Sequence, residues 1–195
     1  MRLEIRKSEQ ENQLAEGCRN GDRKSQKAVY ERYSGRMLSL CQRYIAQQDE
    51  AEDIMINAFM KIFQKIDQYK GDGSFEGWMR RIVVNDCLSH LRKSRNMYLE
   101  SSIEKLDSEP DLQLLEDHLE VEDLMSLIAD LPIGYRTVFN LYAIEGYSHK
   151  EVAEALNIQE ATSKSQLSRA RVLLQKELKR LEEQVNIKNR SYEQQ

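Results

Sequence analysis

The chain has 195 residues and a mass of 22.9 kDa, which suits one large domain or two small ones. Only eight Gly and two Pro interrupt a sequence in which 32% of residues are charged; this favours long helices, and the 7% aromatic content without alternating β-branched runs speaks against a β-sandwich. A formal net charge of −4 points away from nucleic acid, provided the charge is spread evenly along the chain.

Cys18, Cys41 and Cys87 form no C-x-x-C pair and leave an odd count, the pattern of reduced, partly buried thiols in a cytosolic protein and not of a disulfide framework. The longest uninterrupted apolar run is four residues, Leu141 to Ile144, whereas a bilayer span needs about twenty. The opening segment MRLEIRKSEQENQ has no apolar signal-peptide core, so a cytoplasmic protein with no membrane insertion is expected.

In chain order, the first periodic segment carries Ala28, Val29, Tyr33, Met37, Leu40, Tyr44 and Ile45 at three- and four-residue steps, an amphipathic helix. Asp49-Glu50-Ala51-Glu52 reads as a capped start, with Asp49 as N-cap, to a second helix striped by Ile54, Ala58, Ile62 and Ile66 and widened by Phe59 and Phe63. The segment 68–73 (QYKGDG) is a turn by composition, after which Ser74 caps a long helix with an apolar stripe of Phe75, Trp78, Met79, Ile82, Val83 and Leu91. Glu100 to Asp123 then holds ten Asp or Glu and one Lys, a local net charge of −9, and includes Pro110. It reads as a linker up to about Leu119.

Two short amphipathic helices follow, Val121 to Leu131 and Tyr135 to Ile144, with Pro132 opening the second as a first helical residue. Ser148-His149-Lys150-Glu151 fits a capping box for a helix carrying Val152, Ala153 and Leu156, which ends at Asn157-Ile158-Gln159. A last helix from Glu160 places Leu167, Ala170, Leu174, Leu178 and Leu181 on one stripe, and the polar tail from Glu183 is expected to fray. The fold class is therefore all-α: two small helical domains joined by an acidic linker.

Two short helices joined by a three-residue turn, with Ala153 and Ile158 near the bend, form a helix-turn-helix pattern in the C-terminal domain. The helix from Glu160 to Arg180 carries six basic and two acidic residues, a local +4. Opposite its leucine stripe fall Thr162, Ser163, Gln166 and Arg169, flanked by Lys164 and Arg171, a mixture able to pair base edges and hold phosphate oxygens. Arg80 to Arg95 is a second +4 segment, with Arg81, Asn85, Leu88 and Arg92 sharing one exposed face. Tyr69, Phe75 and Trp78 lie close by in sequence, and basic residues among aromatics suit unpaired bases, although Trp78 at stripe spacing reads as core. From the residues alone, nucleic-acid contact and a solvated helix surface both remain open for these faces. His90, His118 and His149 are isolated and read as surface or capping residues. No catalytic group, metal-ligand set or cofactor site is evident.

Three ordered motifs resemble the RNA polymerase sigma factors of the small, extracytoplasmic-function group. Asp49-Glu50-Ala51-Glu52-Asp53-Ile54 leading to Ala58-Phe59-Met60-Lys61-Ile62-Phe63 resembles the helix that binds core polymerase. Phe75-Glu76-Gly77-Trp78-Met79-Arg80-Arg81-Ile82-Val83-Val84-Asn85 is similar to the helix that reads and melts the −10 element. Leu131-Pro132, then Tyr147 to Ala153, then Ser163 to Arg171 resemble the −35-reading domain. Ala161, where the family often has Gly, and Met55-Ile56-Asn57, where a Val-Gln-Glu type triplet is common, are departures.

The resemblance implies a non-enzymatic subunit that directs promoter-specific initiation. Its domains would be 13–96 for core binding and −10 recognition and melting, an acidic linker 97–119, 120–182 as the helix-turn-helix domain reading −35, and a polar tail 183–195. It implies docking of Asp53, Asn57 and Lys61 on the coiled coil of the polymerase β′ subunit. It implies −10 DNA contact by Ser74, Phe75, Arg81, Asn85 and Arg92, and −35 contact by Thr162, Ser163, Lys164, Gln166, Arg169 and Arg171. Core RNA polymerase, promoter DNA and an anti-sigma factor are the implied partners, and no cofactor is implied. A stand-alone helix-turn-helix regulator with an N-terminal dimerisation domain would instead bind closed duplex without polymerase, and a helical adaptor would bind acidic protein partners through the same basic faces.

Overall fold

The computed structural model describes residues 2–93 and 121–192, with side chains for 9–93 and 124–181. Every regular element among these residues is helical, and the chain divides into two units, 1–94 and 95–195. The acidic stretch of the sequence falls almost wholly between the described segments, and His118 and the expected linker 97–119 lie outside them.

In the first unit, α1 spans Arg2–Arg19, α2 Arg23–Tyr44, α3 Gln48–Gln64 and α4 Phe75–Lys93, with one 3-10 turn at Ile66–Gln68. Asp22 starts α2: its carboxylate accepts the backbone N–H groups of Lys24 (3.2 Å) and Ser25 (3.0 Å), satisfying two of the donors a helix start leaves open. The hydroxyl of Ser25 adds a third bond, and these hydrogen bonds hold the Asp22 carboxyl below its usual range. Helix α1 turns back onto α2 at Gly17, where a Cβ would collide with the Ser25 side chain; only glycine allows that approach.

Helices α2, α3 and α4 close around Val29, Tyr33, Met37 and Leu40, then Ile54, Ala58 and Ile62, then Met79, Val83 and Cys87, all buried. Each large aliphatic or aromatic side chain so covered contributes about 1.5–3 kcal/mol. Ion pairs Lys61–Asp86 (2.6 Å) and Arg36–Glu76 (2.7 Å) and the His90–Glu50 hydrogen bond (3.1 Å) tie α4 to α3 and α2 at the rim, where such contacts orient more than they stabilise. All three cysteines are buried and free; burial, with Asp22 nearby, pushes the Cys18 thiol up to about 11, so it stays protonated.

The second unit runs α5 Val121–Asp130, α6 Ile133–Phe139 continuing into a π turn at Asn140–Ile144, α7 His149–Leu156 and α8 Glu160–Tyr192. Its core joins Ile128 and Leu131 to Ala170 and Leu174, flanked by Leu124, Met125, Leu127, Tyr135 and Phe139. The capping box at α7 is complete: the Ser148 hydroxyl accepts from the Glu151 N–H (3.3 Å), and the Glu151 carboxylate accepts from the Ser148 N–H (2.8 Å). Asn157 then leaves the helix in the left-handed region (φ 54), Ile158 N–H closes onto the Ala153 carbonyl (3.0 Å), and α8 begins at Glu160.

Several sequence expectations are corrected. Helix α1 has no counterpart among the expected elements, because its buried residues are Glu11, Ala15 and Cys18, an acid and two small side chains that make no hydrophobic stripe. Asp49 is not the N-cap of α3 but sits in its first turn with Glu50, a position favoured by the helix dipole; Gln47 precedes the helix without a side-chain cap. Pro132 precedes α6 as its N-cap. Leu88 is 1% exposed and belongs to the core, not to the face of Arg81, Asn85 and Arg92. The polar tail does not fray at Glu183: α8 continues to Tyr192.

Candidate nucleic-acid interface

The first candidate surface is on α3. Asp53 and Asn57 are exposed; Lys61 is exposed too, but its ammonium is held by Asp86 of α4 at 2.6 Å. Ile56 (48% exposed) and Met60 (56% exposed) stand beside them, at the i, i+3, i+4, i+7 spacing that puts Asp53, Ile56, Asn57 and Met60 on one face. Tyr30 of α2 is also exposed and meets Phe59 edge-on at 4.9 Å. Sequence reasoning missed Ile56, Met60 and Tyr30. The available signal was that α3 is apolar on more sides than one core needs, and large apolar side chains left in water mark a contact surface.

The second surface is the loop 69–74 with α4. Gly71 (φ +84) and Gly73 (φ +86) allow a tight turn that other residues would strain. The Tyr69 hydroxyl donates to the Gly73 carbonyl (3.0 Å) and closes the loop, while the exposed Ser74 accepts the Gly77 N–H (3.0 Å) and caps α4. Behind the loop is an aromatic cluster: Phe75 lies parallel to Trp78 (5.9 Å, 12°), and Tyr69 packs on Phe75 (5.0 Å) and Trp78 (5.6 Å). Phe75 is 0% exposed, so it supports the loop from within and is not available to DNA in this conformation, contrary to the expectation. Trp78 is half-buried, covered on one side by that cluster. Arg81, Asn85 and Arg92 are exposed, with Arg92 donating to the Ser89 hydroxyl (3.1 Å).

Two α1 residues at this site gave no sequence signal. The carboxylate of Glu11, 4% exposed, accepts from the Tyr33 hydroxyl (3.1 Å) and from the Phe75 N–H at the start of α4 (3.4 Å). Burial first, then Glu11, push the Tyr33 phenol up to about 12, so it remains a donor. Arg19 donates to the Tyr69 carbonyl (2.9 Å) and pairs with Glu16 and, at 3.7 Å, with Asp67.

The third surface is the start of α8. Thr162, Gln166, Arg169 and Arg171 are half-buried and Lys164 is exposed. Lys164 pairs with Glu160 at 2.8 Å and holds that carboxyl below its usual range. Arg169 reaches the Tyr135 hydroxyl at 3.5 Å, and Arg171 lies 6.0 Å over the Tyr142 ring. Ser163 departs from the expectation: it is 0% exposed, four residues before Leu167 on the buried stripe, and its hydroxyl meets His149 Nδ1 at 2.9 Å. His149 in turn stacks on Tyr142 (4.3 Å, 22°), so Ser163 and His149 join α7, the π turn and α8 and do not face outward together. Desolvation, then Lys164 and Arg171, lower the His149 pKa, with Glu160 opposing.

Among the described residues no group of three His, Cys, Asp or Glu could hold a metal ion, and no helix is long and apolar enough to cross a membrane.

Two family models match the chain: Sigma-70 region 2 over residues 29–97 and Sigma-70, region 4 over residues 122–174. The RNA polymerase sigma-H factor of Pseudomonas aeruginosa is 27% identical over 186 residues, covering 89% of this chain and 96% of that protein. The extracytoplasmic-function sigma factor SigW of Bacillus subtilis is 29% identical over 175 residues, covering 84% and 94%. Among solved structures, the sigma factor RpoE of Bartonella quintana, in complex with the anti-sigma factor NepR, matches with a TM-score of 0.50 at 24% identity, covering 78% of this chain and 96% of that one.

Proposed function

The chain belongs to the extracytoplasmic-function RNA polymerase sigma factors and directs promoter-specific transcription initiation, and on that premise we propose how its surfaces divide the work. The α3 face of Asp53, Ile56, Asn57 and Met60 docks on the coiled coil of the core polymerase β′ subunit, with Tyr30 at its edge. The observation that carries this assignment is the pair of large apolar side chains left half exposed between two polar ones on a helix whose opposite side is fully buried. Apolar contact supplies affinity there, and Asp53 and Asn57 set orientation.

The loop 69–74 takes up an unpaired base of the non-template −10 strand. Arg81, Asn85 and Arg92 follow the strand's phosphates and base edges along α4, and Ser74 stands at its start. Unstacking a base costs a few kcal/mol, so a preformed pocket backed by positive charge is what makes melting favourable and sequence-dependent. Helix α8 reads duplex −35 DNA with Thr162, Gln166, Arg169 and Arg171, while Lys164 supplies charge near the phosphates. Segments 13–96 and 120–182 are the two working domains. The acidic segment 97–119 occupies a basic channel of the polymerase. RNA synthesis belongs to the core enzyme, this chain catalyses nothing itself, and it acts in the cytoplasm. An anti-sigma factor, the class of partner seen on the B. quintana protein, would hold it inactive.

In vitro transcription with purified core polymerase tests the assignment. The wild type is expected to bind core and initiate. Ile56→Glu and Met60→Glu should abolish core binding with the thermal midpoint unchanged, since both side chains are about half in water already. Asn85→Ala should retain core binding and impair −10 opening, and Arg169→Ala should weaken −35 duplex binding. Failure of the wild type to bind core polymerase would overturn the reading.

A further inference from the structure

Loop 69–74 is held at both ends by a helix that lies outside the matched family segment, which begins at residue 29. At the near end Arg19, its side chain 33% exposed, donates to the Tyr69 carbonyl at 2.9 Å and lies 3.7 Å from Asp67 on the preceding turn. At the far end the buried Glu11 takes the Phe75 N–H at 3.4 Å, and through the Tyr33 hydroxyl at 3.1 Å it fixes that contact to α2. Between these anchors Lys70 to Ser74 are all exposed, and two of the five are glycines at positive φ. A segment so free loses much conformational entropy when it closes on a ligand, unless something else has already ordered it.

We propose that α1 is the positioning element of the −10 pocket: Arg19 and Glu11 hold residues 69–75 in the shape that receives an unpaired base, without touching DNA themselves. The inference rests on the −10 reading given above and adds to it the residues that preorganise the pocket. Arg19 suits the task because a guanidinium can bond the Tyr69 carbonyl and remain paired with Glu16 and Asp67, so that the carbonyl is fixed by a donor which is itself fixed. Glu11 suits it because a carboxylate with two oxygens can satisfy a helix-start N–H and a phenol at once. The loop's own bond, Tyr69 hydroxyl to Gly73 carbonyl, then closes a ring whose two ends no longer move independently.

The test uses the reconstituted holoenzyme and two labelled probes from a promoter on which the wild type initiates: the single-stranded non-template −10 segment, and a duplex carrying only −35. Arg19→Ala should bind the single strand about tenfold more weakly, the loss expected when one charge-assisted hydrogen bond no longer preorganises the pocket. Its affinity for core polymerase and for the −35 duplex, and its thermal midpoint, should not change. Arg19→Lys, which keeps a cationic donor, should recover most of the loss, and Glu11→Ala should show the loss on the single strand together with a lower thermal midpoint, because it also leaves the buried Tyr33 hydroxyl without its acceptor. Wild-type affinity of Arg19→Ala for the single strand would overturn the proposal, as would equal losses on core, both probes and thermal midpoint, the mark of a merely structural role. If the wild-type holoenzyme itself failed to take up the single strand, the −10 reading would fall and the proposal with it.

Discussion

His149 shows how much one side chain can decide at the start of a reading helix. It is the first residue of α7, it stacks on Tyr142 of the π turn, and its Nδ1 meets the hydroxyl of Ser163, a polar group with no access to water. A buried hydroxyl left without a partner is costly, so the neutral imidazole is part of what sets α8 against α7. The groups around it, Lys164 and Arg171 lowering its pKa and Glu160 raising it, add to desolvation for a net shift below 6.5. Once the pH falls below 6.5, the unfolded chain takes up a proton that the folded unit resists, so stability declines from there down through the folded value and is fully present above 6.5. Thermal midpoints of the wild type should therefore drop more steeply on mild acidification than those of His149→Gln, the difference between the curves opening below 6.5. Parallel curves for the two proteins would refute the role. Asp22, held below its usual range, titrates alike in either protein and cancels in the difference, whereas Glu160, which interacts with His149, is held below the usual carboxylate range and so titrates at more acid pH.

At the scale of elements, the turn between α7 and α8 makes the sharpest demand on backbone. Asn157 is the one described non-glycine residue at positive φ (54), and the left-handed region costs an ordinary side chain about 1–2 kcal/mol. Asn157→Ala should lower the free energy of unfolding in urea by about 1 kcal/mol, whereas Asn157→Gly should be neutral or better. An alanine variant as stable as the wild type would mean that the turn relaxes elsewhere. This turn and its neighbours were legible in the sequence because their causes are local: a serine and a glutamate three apart made the capping box, and Asn-Ile-Gln separated two periodic segments. Longer-range causes were not legible. Helix α1 is recruited by Glu11 and Arg19 through bonds to residues 22 to 64 positions away, which no periodicity records. The outward position of Ile56 and Met60, and the inward position of Ser163 and Leu88, depend on which side of each helix its neighbours cover. A stripe drawn by spacing alone misplaces residues at its margin.

At the scale of the whole molecule, the net charge of −4 conceals a strong order: a +4 segment at Arg80 to Arg95, a −9 segment at Glu100 to Asp123, and a +4 segment at Glu160 to Arg180. Only the sum argued against nucleic acid, and charges act over distance, not over composition. Unscreened charge reaches about 30 Å at 0.01 M salt but only about 8 Å at physiological ionic strength, so at low salt the acidic segment should oppose DNA binding by either basic helix. The consequence is measurable on the free chain with a duplex of random sequence. Changing the seven acids between Glu100 and Asp117 to their amides removes repulsion without touching a proposed DNA contact. The amide variant should bind the duplex about tenfold more tightly than the wild type near 0.01 M salt, and the two binding curves should converge as salt is raised. Its plot of log affinity against log salt should also be the steeper, because in the wild type rising salt weakens the attraction of the basic helices and the repulsion of the acidic segment together. Identical affinity at low salt would mean that the acidic segment has no effect on DNA in the free protein. A constant ratio across all salt concentrations would point to a change in folding and not in charge. With the expected result, a chain acidic in total would be basic where it meets the promoter, and its affinity for DNA outside the polymerase would be held down by its own middle segment.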